Sequence, residues 1–338
     1  MTATGWRPGV PDGAAGRAAL LGAGLAALAA LAVLSVGVGA HFVAPAEVVG
    51  ALVDFDGSPD QVIVRDVRAP RALLAVAVGA ALGVAGVLIQ TLSRNPLAEP
   101  GVLGITVGAA FAVTVGLALG VASTPAAELG LAMGGSVLAA TLVYAVGRTS
   151  PLRLVLAGVA LSAVLSGLSL GMRLMLPDTL DAYRFWFVGS FAGREQTPLV
   201  LPLAAIGVAL AGALLIGRSL GAVALGEGVA RTLGVSVVRV RFAALALITV
   251  LVGAATAVAG PILFAGLIVP HLTRRLAQGS VPWLTANAMV VGAMLLLAAD
   301  MGARVLLPTG EMPVAIVTAF LGGPVLIWAV RRYGTGTL

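Results

Sequence analysis

Few side chains in this 338-residue sequence could do chemistry, and they are widely spaced. Asp300 is the only carboxylate well inside an apolar segment, where an ionisable group is by default a functional candidate such as a proton relay. Arg304 follows four residues later on the same helix face, so an intrahelical ion pair is the simpler competing account. His41 and His271 stand far apart at the ends of apolar segments and form no metal cluster in sequence. There is no cysteine, which excludes disulfides, thiolate metal sites and cysteine nucleophiles. No Ser/His/Asp set or acid pair stands at catalytic spacing, so no catalytic residue and no metal site is assigned. The sequence reads as a conduit rather than an enzyme.

All 20 basic residues are arginine. A Walker A phosphate loop needs its lysine, so any ATP that drives this chain is bound with its magnesium and hydrolysed by a partner, and the chain itself needs no cofactor. Apolar segments built of Ala, Leu, Val and Gly cannot strip and hold a bare metal ion, which takes His, Cys or carboxylate ligands. What passes is therefore large, or arrives with its ion already wrapped.

One polar interruption is patterned. Between Arg218 and Arg241, Leu225, Val229 and Leu233 recur every four residues, while Glu227 and Arg231 form an i,i+4 acid-to-base pair on another face, which predicts a short amphipathic helix. Gly234 stands where its C-cap would fall. The arginines of this loop put it on the cytoplasmic side, either as a docking element for a soluble partner or as a plain interfacial loop.

The surrounding elements are membrane spans. With 59% hydrophobic and 10% charged residues and a mean hydropathy of +1.08, the chain is all-α and polytopic. After a Gly/Pro-rich tail at 1–17, expected to be disordered, ten spans are expected at about 18–43, 70–92, 101–121, 128–147, 151–176, 198–217, 242–259, 262–273, 283–306 and 312–330. Gly260-Pro261 breaks the seventh from the eighth. A secretory signal is the alternative reading of the first span, but its apolar core would be too long. Residues 177–197, with aromatics beside charges, are expected as a short helix at the outer interface, and 333–338 as a cytoplasmic tail. Thirteen arginines fall on the inner side of this layout and seven on the outer, which favours cytoplasmic termini and explains the basic pI of 11.1 by topology rather than by nucleic-acid binding. The pairs Gly79/Gly83, Gly104/Gly108, Gly130/Gly134 and Gly167/Gly171 fall inside spans and predict close helix packing. Pro96 and Pro100 make the 90–104 link a tight inner turn, with Asn95 as its cap.

The motifs Arg68-Ala-Pro-Arg71, Gln90–Gly104, Ala224–Gly234, Gly266-Leu-Ile-Val-Pro-His271, Ala299–Arg304 and Glu311–Pro324 occur in this order, and together they closely resemble the FecCD-like permease family. The resemblance runs from about residue 45 to the end. It implies a ten-span permease of a type II ABC importer in the bacterial cytoplasmic membrane, most often for ferric siderophores, with haem or cobalamin as alternatives. It further implies a single transmembrane domain over 18–332, pairing with a second permease subunit, identical or related. Two cytoplasmic ATPases would sit below, and an extracytoplasmic substrate-binding protein would dock outside. By the same resemblance Leu225, Gly226, Glu227, Val229, Arg231, Leu233 and Gly234 form the coupling helix that enters the ATPase. Arg68, Arg71 and Arg304 match arginines that meet acidic knobs on the binding protein, with snorkelling at the interface as the plainer role. A proton-coupled secondary transporter using Asp300 is the competing class.

Overall fold

The computed structural model describes residues 13–39, 43–147, 151–176, 187–194, 198–307 and 310–333, and among these the regular structure is entirely helical. The helices in order are α1 (Ala14–Gly37), α2 (Pro45–Val53), α3 (Pro59–Ser93), α4 (Ile105–Ala118), α5 (Pro125–Gly147), α6 (Pro151–Met175) and α7 (Val200–Ala224), then α8 (Glu227–Thr232), α9 (Val237–Ala259), α10 (Ala265–Ala277), α11 (Val281–Val305) and α12 (Val314–Tyr333). Seven of them, α1, α3, α5, α6, α7, α9 and α11, are long and apolar enough to cross a membrane. α4 and the apolar part of α12 (Val314–Trp328) are shorter.

α3 is the axis of the bundle. From Ala72 to Gln90 nearly every residue is buried, with α7, α9, α10 and α11 around it. Such close packing needs small residues, because in a bilayer helices associate through contact and not through expulsion of water. A Cβ on Gly79 would lie 2.2 Å from the Gly292 carbonyl oxygen, and one on Gly86 would lie 1.9 Å from that of Gly266. Gly83 and Gly108 are also tight, the latter against Ala139 and Gly135 of α5. The glycine pairs divide, however. Gly130, Gly134, Gly167 and Gly171 meet nothing within 4 Å, so that part of α5 and α6 is open.

Several expected boundaries move. α7 runs on to Ala224 instead of ending near 217, because Leu220 and Val223 remain buried past Arg218. α9 begins at Val237, which takes Arg239 and Arg241 out of the loop and into a helix. α1 ends at Gly37, short of the expected 43. The break after α9 falls as the sequence predicts, with Gly260 at φ 73°. Most of the expected interfacial segment lies outside the described residues, as do His41, residues 1–12 and 334–338.

The 90–104 link opens with the turn that Asn95 caps, its Oδ1 accepting the Leu97 N–H at 2.8 Å, and then continues inward. Pro100 abuts Gly266, which itself lies against Leu82 and Gly86 of α3. Gly86 is seven residues before the end of α3, or about 10 Å along its axis. The chain therefore folds back beside α3 before α4 begins, through a 3-10 turn at Pro100–Leu103.

Candidate functional site

Two clusters occupy opposite ends of the bundle. Gly217 and Gly221 of α7 lie against Pro282 and Val281 at the start of α11, while Arg304 is at its other end, 22 residues or about 33 Å away. The end of α7 leads into α8, so the patterned loop and the arginine cluster are far apart.

At the first end, Gly226 (φ 125°) breaks α7 from α8 in a conformation an L side chain would not easily adopt. α8 closes on Gly234 (φ 75°), whose N–H donates to the Arg231 carbonyl at 3.0 Å while the Val235 N–H donates to that of Ala230 at 2.9 Å. This is the paired bonding of a glycine-terminated helix. Leu225, Val229 and Leu233 are 72%, 45% and 63% exposed, leaving an apolar edge that the chain itself does not cover. Glu227 faces elsewhere. Arg231 reaches it only at 3.4 Å, whereas Arg241 of α9 donates to its Oε1 at 2.6 Å. The second bond ties α8 to the next long helix, and it spans 14 residues, beyond the reach of helical periodicity.

At the opposite end, Arg68, Arg71 and Arg304 come together, as their shared motif role implies, but all three are buried and turned inward. Three of the last carbonyls of α1 lack partners within that helix. Arg304 Nη1 donates to Ser35 O at 2.8 Å and Val38 O at 3.0 Å, and Arg68 Nη1 donates to Val36 O and Gly37 O at 3.0 and 2.9 Å. Asp300, fully buried, accepts Arg71 Nε on Oδ1 at 2.8 Å and Arg304 Nε on Oδ2 at 3.0 Å, with a shorter bond from Arg304 Nη2. Arg71 Nη1 also donates to Glu311 at 2.7 Å. The Asp300–Arg304 pair expected on one helix face is present, and Arg71 completes a clamp around it. A π-helical turn at Ile63–Arg68 precedes this face of α3 and alters its rotation, which sequence spacing does not reveal.

Between the two ends lies a cavity of about 580 Å³. Its wall on α6 is a stripe of Ser162, Ser166, Ser169 and Arg173, facing Thr106 of α4 and the refolded link at Glu99. These residues were not singled out from sequence, although hydroxyls at helical spacing ending in an arginine are a legible signal. Glu99 Oε1 accepts the Phe264 N–H at 3.0 Å, just ahead of α10. A carboxylate there satisfies one of the unpaired donors and complements the positive end of the helix dipole. Phe264 is held at φ 67°, a left-handed conformation uncommon for an aromatic residue. Among the described residues no three of His, Asp and Glu gather as metal ligands would.

Residues 27–332 match the FecCD transport family. The chain is 43% identical to the ferric enterobactin transport system permease protein FepD of Escherichia coli (strain K12) over 213 residues, which are 62% of this chain and 64% of that protein. It is 36% identical to the probable siderophore transport system permease protein YfiZ of Bacillus subtilis (strain 168) over 85% of this chain and 87% of the other. The fold is similar to that of a metal-chelate type ABC transporter solved in an inward-facing conformation, with a TM-score of 0.83 and 29% identity, over 93% of this chain and 99% of that one.

Proposed function

The chain belongs to the FecCD transport family, and from that premise we propose that it is the permease subunit of an ATP-driven importer of ferric siderophores. The observation that carries the reading is α8, a six-residue helix set off by two glycines between long apolar helices, with an exposed apolar edge and a single strong tie to α9. A short helix of this kind suits the task of receiving a push from a soluble ATPase. The likeness to FepD and YfiZ supports a siderophore as cargo.

In this reading α4, α10 and α12 join the seven long helices as ten crossings, with both termini and α8 in the cytoplasm. A second permease subunit covers the open face of α5 and α6 and completes the cavity wall. Two ATPases bind ATP with magnesium, close, and press on Leu225, Val229 and Leu233. Glu227 and Arg241 pass the displacement to α9, and the bundles rock so that access to the cavity alternates. No bond is made or broken in this chain. The binding protein docks at the Arg68–Arg71–Arg304 end, where the three arginines gather with Asp300 and Glu311. Because these guanidiniums bond inward, docking draws on exchange of the outermost bond, Arg71 to Glu311.

The test is uptake into vesicles holding the chain, its partner permease and its ATPase. Ferric siderophore should accumulate only with ATP, and replacement of Glu227 and Arg231 by alanine should uncouple hydrolysis from uptake. Uptake at full rate in that variant, or uptake that needs a proton gradient and no ATP, refutes the assignment.

A further inference from the structure

A second pocket, of about 90 Å³, opens at the α8 end between α3, α5, α6 and α9. That is room on the order of six water-sized groups. Ile89, Leu92, Leu154, Val155, Val238 and Leu245 make its wall apolar, and Arg241 stands among them as the charged side chain. Tyr144 also lines it, its ring edge-on to Phe242 at 5.9 Å. An apolar slot with one cation fits an amphiphile that carries negative charge, because the chain segment takes the slot and the head takes the guanidinium.

The surroundings favour the same class. Arg94 follows Ser93 of the pocket wall, Arg153 precedes Leu154, and Arg239 lies between Val238 and Arg241. Glu227 meets Arg241. Arg94, whose Nη2 bonds the Val223 carbonyl, and Arg239, on another face of α9 from Arg241, do not line the pocket but add to the positive charge of this end of the bundle, which attracts anionic lipid at the cytoplasmic leaflet. Arg241 is 28% exposed along its side chain, so its guanidinium is reachable while bonded.

We propose that this pocket binds an anionic phospholipid of the inner leaflet, with part of one acyl chain between α3, α6 and α9 and the phosphate on Arg241. The lipid then shares Arg241 with Glu227, so the stiffness of the tie between α8 and α9 depends on lipid charge. The inference rests on the proposed topology only in placing the α8 end at the inner leaflet; lipid retention and uptake are separate readouts, so it fails separately from the importer reading, which the uptake assay tests.

The experiment purifies the full chain from bilayers of phosphatidylcholine with equal phosphatidylglycerol and counts retained lipid by native mass spectrometry. Wild type should keep phosphatidylglycerol at least about five-fold over phosphatidylcholine. Leu154→Trp, which fills the slot, should lose both, and Arg241→Gln should keep them equally. Val238→Trp serves as the second filling variant, since Val238 is 71% exposed and tolerates change without refolding the core. Equal retention of the two lipids by wild type overturns the proposal, as does unchanged retention in both filling variants. Displacement of the lipid by millimolar inorganic phosphate would assign a bare phosphate site instead, and also overturns it.

Discussion

Asp300→Asn is the sharpest probe of the arginine cluster, because the clamp and the proton relay predict different outcomes for it. In the native arrangement each carboxylate oxygen serves one arginine, Arg71 on Oδ1 and Arg304 on Oδ2, with no water-accessible surface on Asp300. An asparagine keeps one acceptor and turns an N–H₂ donor toward the other guanidinium. It also removes the charge that neutralises two buried cations. Removing one partner of a buried pair costs about 3–5 kcal/mol. Arg71 retains Glu311 and Arg304 retains the carbonyls of α1, which places the expected loss near the lower figure, ~3 kcal/mol. At about 2–4 °C per kcal/mol, unfolding of the detergent-purified chain should begin some 6–12 °C lower. Adding Arg304→Gln should restore part of this, with a coupling of about 1–3 kcal/mol between the two sites, since the second change removes the stranded cation. A variant that melts within about 2 °C of wild type yet transports nothing would refute the clamp and return Asp300 to the relay reading.

The remaining predictions concern other parts of the machine. Val229→Asp should weaken association with the ATPase at least about ten-fold, as an apolar contact is replaced by a buried charge, while thermal stability stays unchanged because Val229 touches no core; a loss of stability instead would make α8 structural. Gly86→Ala should cost about 1–3 kcal/mol or more, since its methyl would strike the Gly266 carbonyl. Gly167→Ala, which meets nothing, should leave the isolated chain's melting unchanged but weaken pairing with a second permease, readable by light scattering. Glu99→Ala should raise amide exchange at Phe264 by about ten-fold, and Glu99→Gln, which still offers an acceptor, by less; equal exchange in both would remove the helix-capping role. Outside the spans, the Ser58 N–H on Asp56 at 2.8 Å holds that carboxyl below its ordinary 3.8. The contribution is present above the unfolded value and fades as pH falls through the lower folded one, so protection of the Ser58 amide should drop only below about pH 4; a drop near neutrality would contradict it.

What could be read from sequence followed from local rules. The short α8, its Gly234 terminus, the Gly260 break and the Asp300–Arg304 pair all lie within four or five residues of the signals that predict them. Helix rotation was not legible, because a helix apolar on every side has no periodic face to report its orientation. For that reason Arg68, Arg71 and Arg304 could be grouped by motif but not seen to turn inward, and the serine stripe of α6 went unassigned. Contacts between distant segments were hidden as well. Glu99 beside Phe264 and Arg241 on Glu227 depend on how the link and the loop fold back, and spacing along the chain says nothing of either.

α1 has little buried surface, yet it follows α11 along its whole length. Arg17 lies over Trp283 at 5.7 Å near one end, Gly24 touches Val290 midway, and Arg304 holds Ser35 and Val38 at the other. Fastened at three points to α11, and at its last turn to α3 as well through Arg68, α1 forms a single plank with α11. Any tilt that opens the bundle must carry both together, so the seam that slides during transport lies elsewhere, and α1 serves as the outer facing of a moving wall rather than as a fixed post against which it swings.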